Sequence, residues 1–411
     1  MSMADILLPL VSLAVCLRAR AIGTWLGVVD HPDGTRKTHE AATPLVGGLA
    51  VTAPFLVACA QRYWGGPESA VAGALMIAVG GAFLLGFFDD RKQLPVSVRF
   101  LAAIALVLVS LEIEPAFVVA HFDFSFLGET IQLYSFSVIF TILVVVGMLN
   151  AVNMADGMNG LLCGLCLIWS VFLLFYAPPQ IAPILVVLAI CMFVTMIFNL
   201  RGRLFLGDSG AYASGMAISL LTIYVYNTTS GTLHADVVVV WFIVPVLDCL
   251  RLIVTRISEH RSPGSPDANH LHHRLQRLLP RWAALFHYWA LVAVPGAFAI
   301  GMPSLTPVIV LTVSSIYLGL LVVTSEWFAR RLRGSAGSEL FRAAPPPGPA
   351  GGSPASSAAP VNASPAGPSS SPSEWRSKPD TAEGSILLDR SVSASRPRRG
   401  RLKGRASSGD S

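Results

Sequence analysis

Two adjacent carboxylates, Asp89 and Asp90, end the apolar run Val71 to Phe88 in Gly86-Phe87-Phe88-Asp89-Asp90-Arg91-Lys92. A soluble core helix has no reason to stop this way, whereas a membrane helix that delivers acids to the water surface does. Neighbouring residues on a helix diverge by about 100°, so the pair does not chelate one ion in a simple bidentate way. One acid can contact a metal or a lysine while the other meets a substrate. Taken alone, the pair is equally well read as a solvated helix end.

Three further polar stretches give the acids company. Asn150-Ala151-Val152-Asn153-Met154-Ala155-Asp156-Gly157-Met158-Asn159-Gly160 sets three amides, one carboxylate and two glycines between apolar runs. So many hydrogen-bonding groups at a bilayer edge are costly unless a ligand or each other satisfies them, and a ligand site is the reading preferred over a self-satisfied helix junction. In Asn199 to Gly210, Gly207 and Gly210 bracket Asp208 where a helix begins. Backbone N–H groups and the helix dipole there favour an anion. A carboxylate beside an anion site implies a cation between them, and oxygen-only donors suit Mg²⁺ or Mn²⁺ rather than zinc. Phe205 is either a stacking platform for a base or a packing residue.

The fourth stretch, Ser265-Pro266-Asp267-Ala268-Asn269-His270-Leu271-His272-His273-Arg274, offers three imidazoles and a guanidinium. No thiolate is near, and donors to phosphate oxygens fit better than a zinc site; a solvated polar loop is the plainer alternative. Asp248, inside an apolar run, reads as functional by its depth or as a partner for Arg251, and the pairing is favoured. No Gly-x-Gly-x-x-Gly or P-loop occurs. Acids for a divalent cation and basic loops for phosphates support metal-assisted phosphoryl transfer at a membrane surface.

The elements that must carry these groups are apolar helices. The 411 residues are 53% hydrophobic and 13% charged, with mean hydropathy +0.62, which excludes an ordinary soluble domain. At about 20 residues per span, eleven transmembrane candidates emerge: 3–22, 45–62, 68–88, 97–113, 134–152, 159–177, 181–199, 209–227, 236–256, 283–300 and 305–326. Residues 114–133 alternate weakly and predict a short hairpin or re-entrant piece. Arg18 and Arg20 close the first apolar segment, the reverse of a signal peptide's charged start.

Of the 29 lysines and arginines, 28 fall after odd-numbered helices or in the tail, and Arg62 alone falls on the other side. Positive charge marks the cytoplasmic side, so the expected topology has the N-terminus outside and the C-terminus cytoplasmic, with every polar stretch above facing the cytoplasm. The net charge of +5 is therefore a topology signal and not a nucleic-acid footprint. All six cysteines lie in apolar segments, and the Cys163-x-x-Cys166 pair has no second pair to complete a zinc site. The expected fold is an all-α polytopic domain over 1–333, followed by a disordered Pro/Ala/Ser-rich tail over 334–411 with a basic end.

Over residues 23 to 281 the chain resembles the polyprenyl-phosphate N-acetylhexosamine-1-phosphate transferases, the bacterial family of WecA and MraY. The resemblance rests on Gly27-Val28-Val29-Asp30-His31-Pro32 with Arg36-Lys37, Pro44-Leu45-Val46-Gly47-Gly48, Phe88-Asp89-Asp90-Arg91, Asn150 to Gly160, Phe205 to Gly210 and His270-Leu271-His272-His273. The His-x-His-His form is similar to the WecA branch. The resemblance implies that a UDP-N-acetylhexosamine, foremost UDP-GlcNAc, gives its sugar-1-phosphate to undecaprenyl phosphate in the bacterial inner membrane, releasing UMP and starting a cell-envelope glycan. By the same likeness Asp208 binds Mg²⁺ with Asn153 beside it, while Asp89 and Asp90 serve the lipid phosphate and catalysis. Asp156 and Asn159 would meet the nucleotide, Phe205 would stack on uracil, His270, His272 and His273 would hold the diphosphate or sugar, and Lys37 and Arg274 join the substrate-binding set. A homodimer is compatible with it. The family commonly has Asp-Gly-x-Asp-Gly where this chain has Asp156-Gly157-Met158-Asn159-Gly160, so one carboxylate is missing. The competing readings are an MraY-type transferase acting on a muramyl-pentapeptide nucleotide and a lipid or sugar transporter. The transporter is disfavoured because the polar stretches sit at helix ends and the chain has no internal repeat.

Overall fold

In hydrocarbon a backbone can satisfy its N–H and C=O groups only within itself, and runs rich in Leu, Val, Ile, Ala and Phe therefore close into helices. A computed structural model describes residues 3–31, 42–65, 68–229, 231–262 and 269–325. Arg36, Lys37, Ser265 to Asp267 and the whole tail 334–411 lie outside the described residues. The chain opens with α1 (Met3–Leu17) and α2 (Ala19–Leu26), which meet at 72°. A two-stranded ribbon of β1 (Val29–Asp30) and β2 (Thr43–Pro44) follows, antiparallel with Val29 opposite Pro44. Then come α3 (Gly47–Gly65), α4 (Ser69–Lys92) and α5 (Val96–Ile113). Residues 114–133, predicted as a hairpin or re-entrant piece, form a hairpin of β3 (His121–Asp123) and β4 (Thr130–Gln132). The remaining helices are α6 (Ser137–Ala155), α7 (Leu161–Leu174), α8 (Ala182–Leu200), α9 (Gly207–Thr228), α10 (Ala235–Ser258), α11 (Leu271–Leu278), α12 (Arg281–Gly301) and α13 (Thr306–Val323).

Each of the eleven predicted stretches is helical, but they do not all have the length and composition of a span. Among the described residues seven helices do, namely α4, α5, α6, α8, α10, α12 and α13, and the bent α1–α2 pair makes eight if it counts as one. α7 has only 14 residues, and α3 and α9 are long enough but less apolar. For α9 the reason is its position. Every residue from Ser209 to Tyr226 is buried, with α3, α4, α6 and α7 packed around it. A helix enclosed by protein need not be greasy, so α9 carries Ser214, Ser219 and Thr222 where a lipid-facing helix would carry Leu. The chain is a multi-pass helical membrane protein.

Two glycines set how near α9 lies to its neighbours. A Cβ on Gly86 of α4 would overlap the Asp208 carbonyl and the Ser209 nitrogen, and one on Gly48 of α3 would overlap the Gly210 backbone. The first turn of α9 is thus pressed against the last turns of α4 and the start of α3. At the other end of α9, Tyr226 accepts from the Asp123 amide at 2.8 Å and Asn227 donates to the Ala116 and Val118 carbonyls at 2.7 and 2.8 Å. These bonds tie the hairpin down, and Asp236 at the start of α10 adds a bond from the Ser125 amide at 2.9 Å.

Candidate functional site

The acids at the end of α4 part company as adjacent helical residues must. Asp89 is buried at 4% exposure and spends both oxygens on its own neighbourhood. The Leu94 amide donates to Oδ1 at 2.7 Å, closing the turn into α5, and Arg99 of α5 donates to Oδ2 at 2.7 Å. The same Arg99 nitrogen donates to the Tyr212 hydroxyl of α9 at 3.3 Å. A buried pair of this kind strongly destabilises when only one partner is removed. Asp90 turns the other way and receives the Asp208 amide at 2.8 Å and the Ser209 amide at 3.1 Å. The anion expected at the start of α9 is therefore, in the protein itself, the Asp90 carboxylate and not a phosphate. The amides and dipole at that helix start thus hold an anion that the chain itself supplies.

Asp208, one residue into α9, lies under the negative field of Asp90 and Asp89. Asp156, just past the end of α6, faces the same charges: burial first, then Asp208 and Asp90, hold its carboxyl well above the usual carboxylate range. Three carboxyls from α4, α9 and the α6–α7 junction thus converge on one region. Among the described residues no three His, Cys, Asp or Glu side chains already form a set of metal ligands. The donor chemistry nevertheless suits a hard divalent cation. Asp90 is engaged with amides, leaving the Asp208 and Asp156 carboxylates and the Asn153 amide on the last turn of α6, all oxygen donors around excess negative charge.

The polar loops are held together by one side chain that sequence reasoning passed over. Asn199, buried at the end of α8, accepts from the Gly160 amide and donates to the Leu204 carbonyl at 3.0 Å, so it bridges the α6–α7 and α8–α9 connections. Asn159 lies beside Gly202 of the second loop, its Nδ2 3.8 Å from where a Cβ would sit. Phe205 is half-buried, and its backbone is tied to Pro44 and Gly47 at 3.0 and 2.9 Å. Those bonds join the β2–α3 segment to the start of α9.

The histidines arrive from the far end of the chain. His272 packs directly on Gly157, where any Cβ would overlap its Nε2, so the absence of a side chain at 157 admits the imidazole. His272 is 1% exposed and its Nε2 has no hydrogen-bond partner. Burial, then the charges of His273 and His270, hold it well below the usual histidine pKa; Asp248 opposes weakly. The ring centroids of His272 and His273 are 4.2 Å apart, and His270 stacks on His272 at 5.4 Å. Arg274 is turned elsewhere: Nε donates to Asn269 Oδ1 at 2.8 Å and Nη1 to the Leu321 carbonyl of α13 at 3.0 Å. Asp248 pairs with Arg251 at 2.9 Å, as its sequence context favoured, but it also meets His270 Nδ1 at 3.1 Å. No spacing rule pointed to that second contact, because the two residues belong to different helices. The six cysteines are all buried and free.

The region from Asp89 through Asp208 and Asp156 to His272 thus joins four separated stretches into one acidic and imidazole-lined patch. Residues 72–226 match the model of glycosyl transferase family 4. The chain is 29% identical over 316 residues to a "Probable undecaprenyl-phosphate N-acetylglucosaminyl 1-phosphate transferase" of Bacillus subtilis, covering 74% of this chain and 83% of that protein. It is 30% identical over 300 residues to a decaprenyl-phosphate N-acetylglucosaminephosphotransferase of Mycobacterium tuberculosis, covering 63% of this chain and 71% of the relative. An Escherichia coli undecaprenyl-phosphate alpha-N-acetylglucosaminyl 1-phosphate transferase is 28% identical over 272 residues, 63% and 72% of the two chains. By class the protein is a glycosyl-1-phosphate transferase built into a helical membrane domain. It belongs to the polyprenyl-phosphate N-acetylhexosamine-1-phosphate transferase family, on its WecA-like side.

Proposed function

We propose that the protein transfers N-acetylglucosamine-1-phosphate from UDP-N-acetylglucosamine to undecaprenyl phosphate, releasing UMP, at the cytoplasmic face of a bacterial inner membrane. The observation that carries the reading is the contact of His272 with Gly157, which brings the phosphate-donor imidazoles against the acidic loop that faces Asp208 and Asp90. The charge asymmetry of the loops supports the cytoplasmic orientation, and the names of the relatives support the sugar and the lipid.

An oxygen of the lipid phosphate attacks the phosphorus that bears the sugar. The bond from that phosphorus to the bridging oxygen breaks, and UMP departs with the electron pair. The attacking oxygen is already anionic, so alignment and charge neutralisation matter more than a strong base. Asp90 fixes the first turn of α9 and so aims Asp208. Asp208 and Asp156, with Asn153, would hold a magnesium or manganese ion, which supplies neutralisation of the diphosphate oxygens. His270, His272 and His273 donate to the phosphate oxygens in flight, and Phe205 offers a face to the uracil ring.

Membranes containing the protein should move radiolabelled sugar phosphate from UDP-N-acetylglucosamine to undecaprenyl phosphate. EDTA should abolish transfer, and Asp208→Ala should lower it by about 100-fold to 1000-fold. Activity untouched by EDTA or by Asp208→Ala defeats the cation reading. A panel including the muramyl-pentapeptide nucleotide decides the donor.

A further inference from the structure

Asp248 of α10 lies outside the acidic patch and is 4% exposed, yet both its oxygens are engaged by several partners. Its Oδ1 accepts from Arg251 Nη2 at 2.9 Å and from the Tyr317 hydroxyl of α13 at 3.0 Å. The Leu271 amide donates to both oxygens at 3.2 Å, capping α11, and Oδ2 lies 3.1 Å from His270 Nδ1. Neutralising Arg251 does not account for this arrangement. Arg251 has its own further acceptors, with Nε on the Tyr317 hydroxyl at 3.0 Å and Nη2 on the Asn269 carbonyl at 2.7 Å. The network converges instead on the ring of His270 and on the start of its helix.

We propose that Asp248 is the positioning residue of His270: it fixes the tautomer and the direction of that imidazole, and through Arg251 and Tyr317 it mounts the histidine helix on α10 and α13. The proposal rests on the phosphotransfer reading above, in which His270 serves the diphosphate. An ionised carboxylate only accepts, so the imidazole nitrogen facing it must carry a proton. Nε2 is thereby left as the working atom, a lone pair in the neutral ring and a donor in the charged one. The other groups around this pair are Arg251 on α10, His272, His273 and Arg274 on α11, Tyr288 on α12 and Tyr317 on α13. Asp248 is the one anionic group in these surroundings.

The test is the kcat and KM of sugar-phosphate transfer by full-length protein in membranes, for wild type, Asp248→Asn, His270→Gln and the double variant. Asp248→Asn should cost at least about tenfold in kcat with KM for the UDP-sugar within about twofold, by analogy with other carboxylates that orient a working imidazole. In the His270→Gln background the same substitution should cost less than about twofold. An equal cost in both backgrounds, or a loss carried by KM instead of kcat, overturns the proposal and leaves Asp248 a structural anchor. If Asp248→Asn does not accumulate, Tyr317→Phe replaces it, with a loss in kcat again expected and an equal cost in the His270→Gln background overturning the idea. A fully active His270→Gln overturns this proposal and leaves the phosphotransfer reading standing. Wild-type membranes that transfer nothing from any UDP-sugar defeat both.

Discussion

Asp156 is a carboxyl held against its chemistry. Burial and the charges of Asp208 and Asp90 raise its pKa, so between the unfolded value and the folded one the native state keeps a proton that the unfolded chain releases. Stability therefore falls as pH rises through that window. Asp156→Asn removes the penalty. In cation-free detergent at pH 8 it should raise the melting temperature, with the gain vanishing near pH 4, while transfer falls at least about tenfold. Thermal unfolding across pH checks it, and a lower melting temperature at pH 8 contradicts the repulsion account. His272 carries the opposite sign. Its pKa is depressed, so below about 6.5 the unfolded chain takes up a proton that the native imidazole refuses. Stability should fall as pH drops from there, by up to about 1.4 kcal/mol per unit, until the folded pKa is reached. His272→Asn should flatten that slope in melts from pH 7 to 5.

At the scale of elements, the site exists because α9 can be approached from every side. Gly86 lets α4 run so close that Asp90 reaches the amides of Asp208 and Ser209. Gly86→Val must push the two helices apart, which costs about 1 to 3 kcal/mol by overpacking and draws Asp90 off the helix start. Transfer should fall by at least about 100-fold, in line with the cost of a misplacement of about 1 Å. Gly147→Val on α6, where a Cβ meets nothing within 4 Å, should remain within about twofold of wild type. Comparable losses in both variants would mean that valine harms any helix here, and that the α4–α9 approach is not special. The 14-residue α7 fits the same scheme. It packs on α8, α9 and α12, where Trp289 of α12 fills the space that Gly164 leaves, so it is held by protein rather than by its own length.

For the whole molecule the decisive quantity is sidedness. The hairpin tip at Gly128 has open space around it, and Arg201 is exposed in the loop before α9. In a cysteine-free background, Gly128→Cys should react with a membrane-impermeant maleimide in intact cells, whereas Arg201→Cys should react only after the membrane is opened. Labelling of both from one side would undo the cytoplasmic placement of the site and the phosphotransfer reading that depends on it.

Much of this was legible before any fold was in hand, because its causes are local. Hydropathy marked the helices, and the glycine-flanked carboxylate at a helix start marked amides that accept an anion, here the Asp90 carboxylate. What only the tertiary structure decided concerns partners far apart in sequence: that Asp90 is the anion on α9, that Asn199 ties two loops together, that His272 rests on Gly157, and that Asp248 faces His270. α9 falls short of the composition of a lipid-facing span for the same reason, since a helix sheathed by other helices answers to its protein neighbours and not to lipid. Local pattern specifies which backbone forms, but a hydrogen bond or a close approach between remote residues depends on how the helices pack, and packing has no period for a sequence to display.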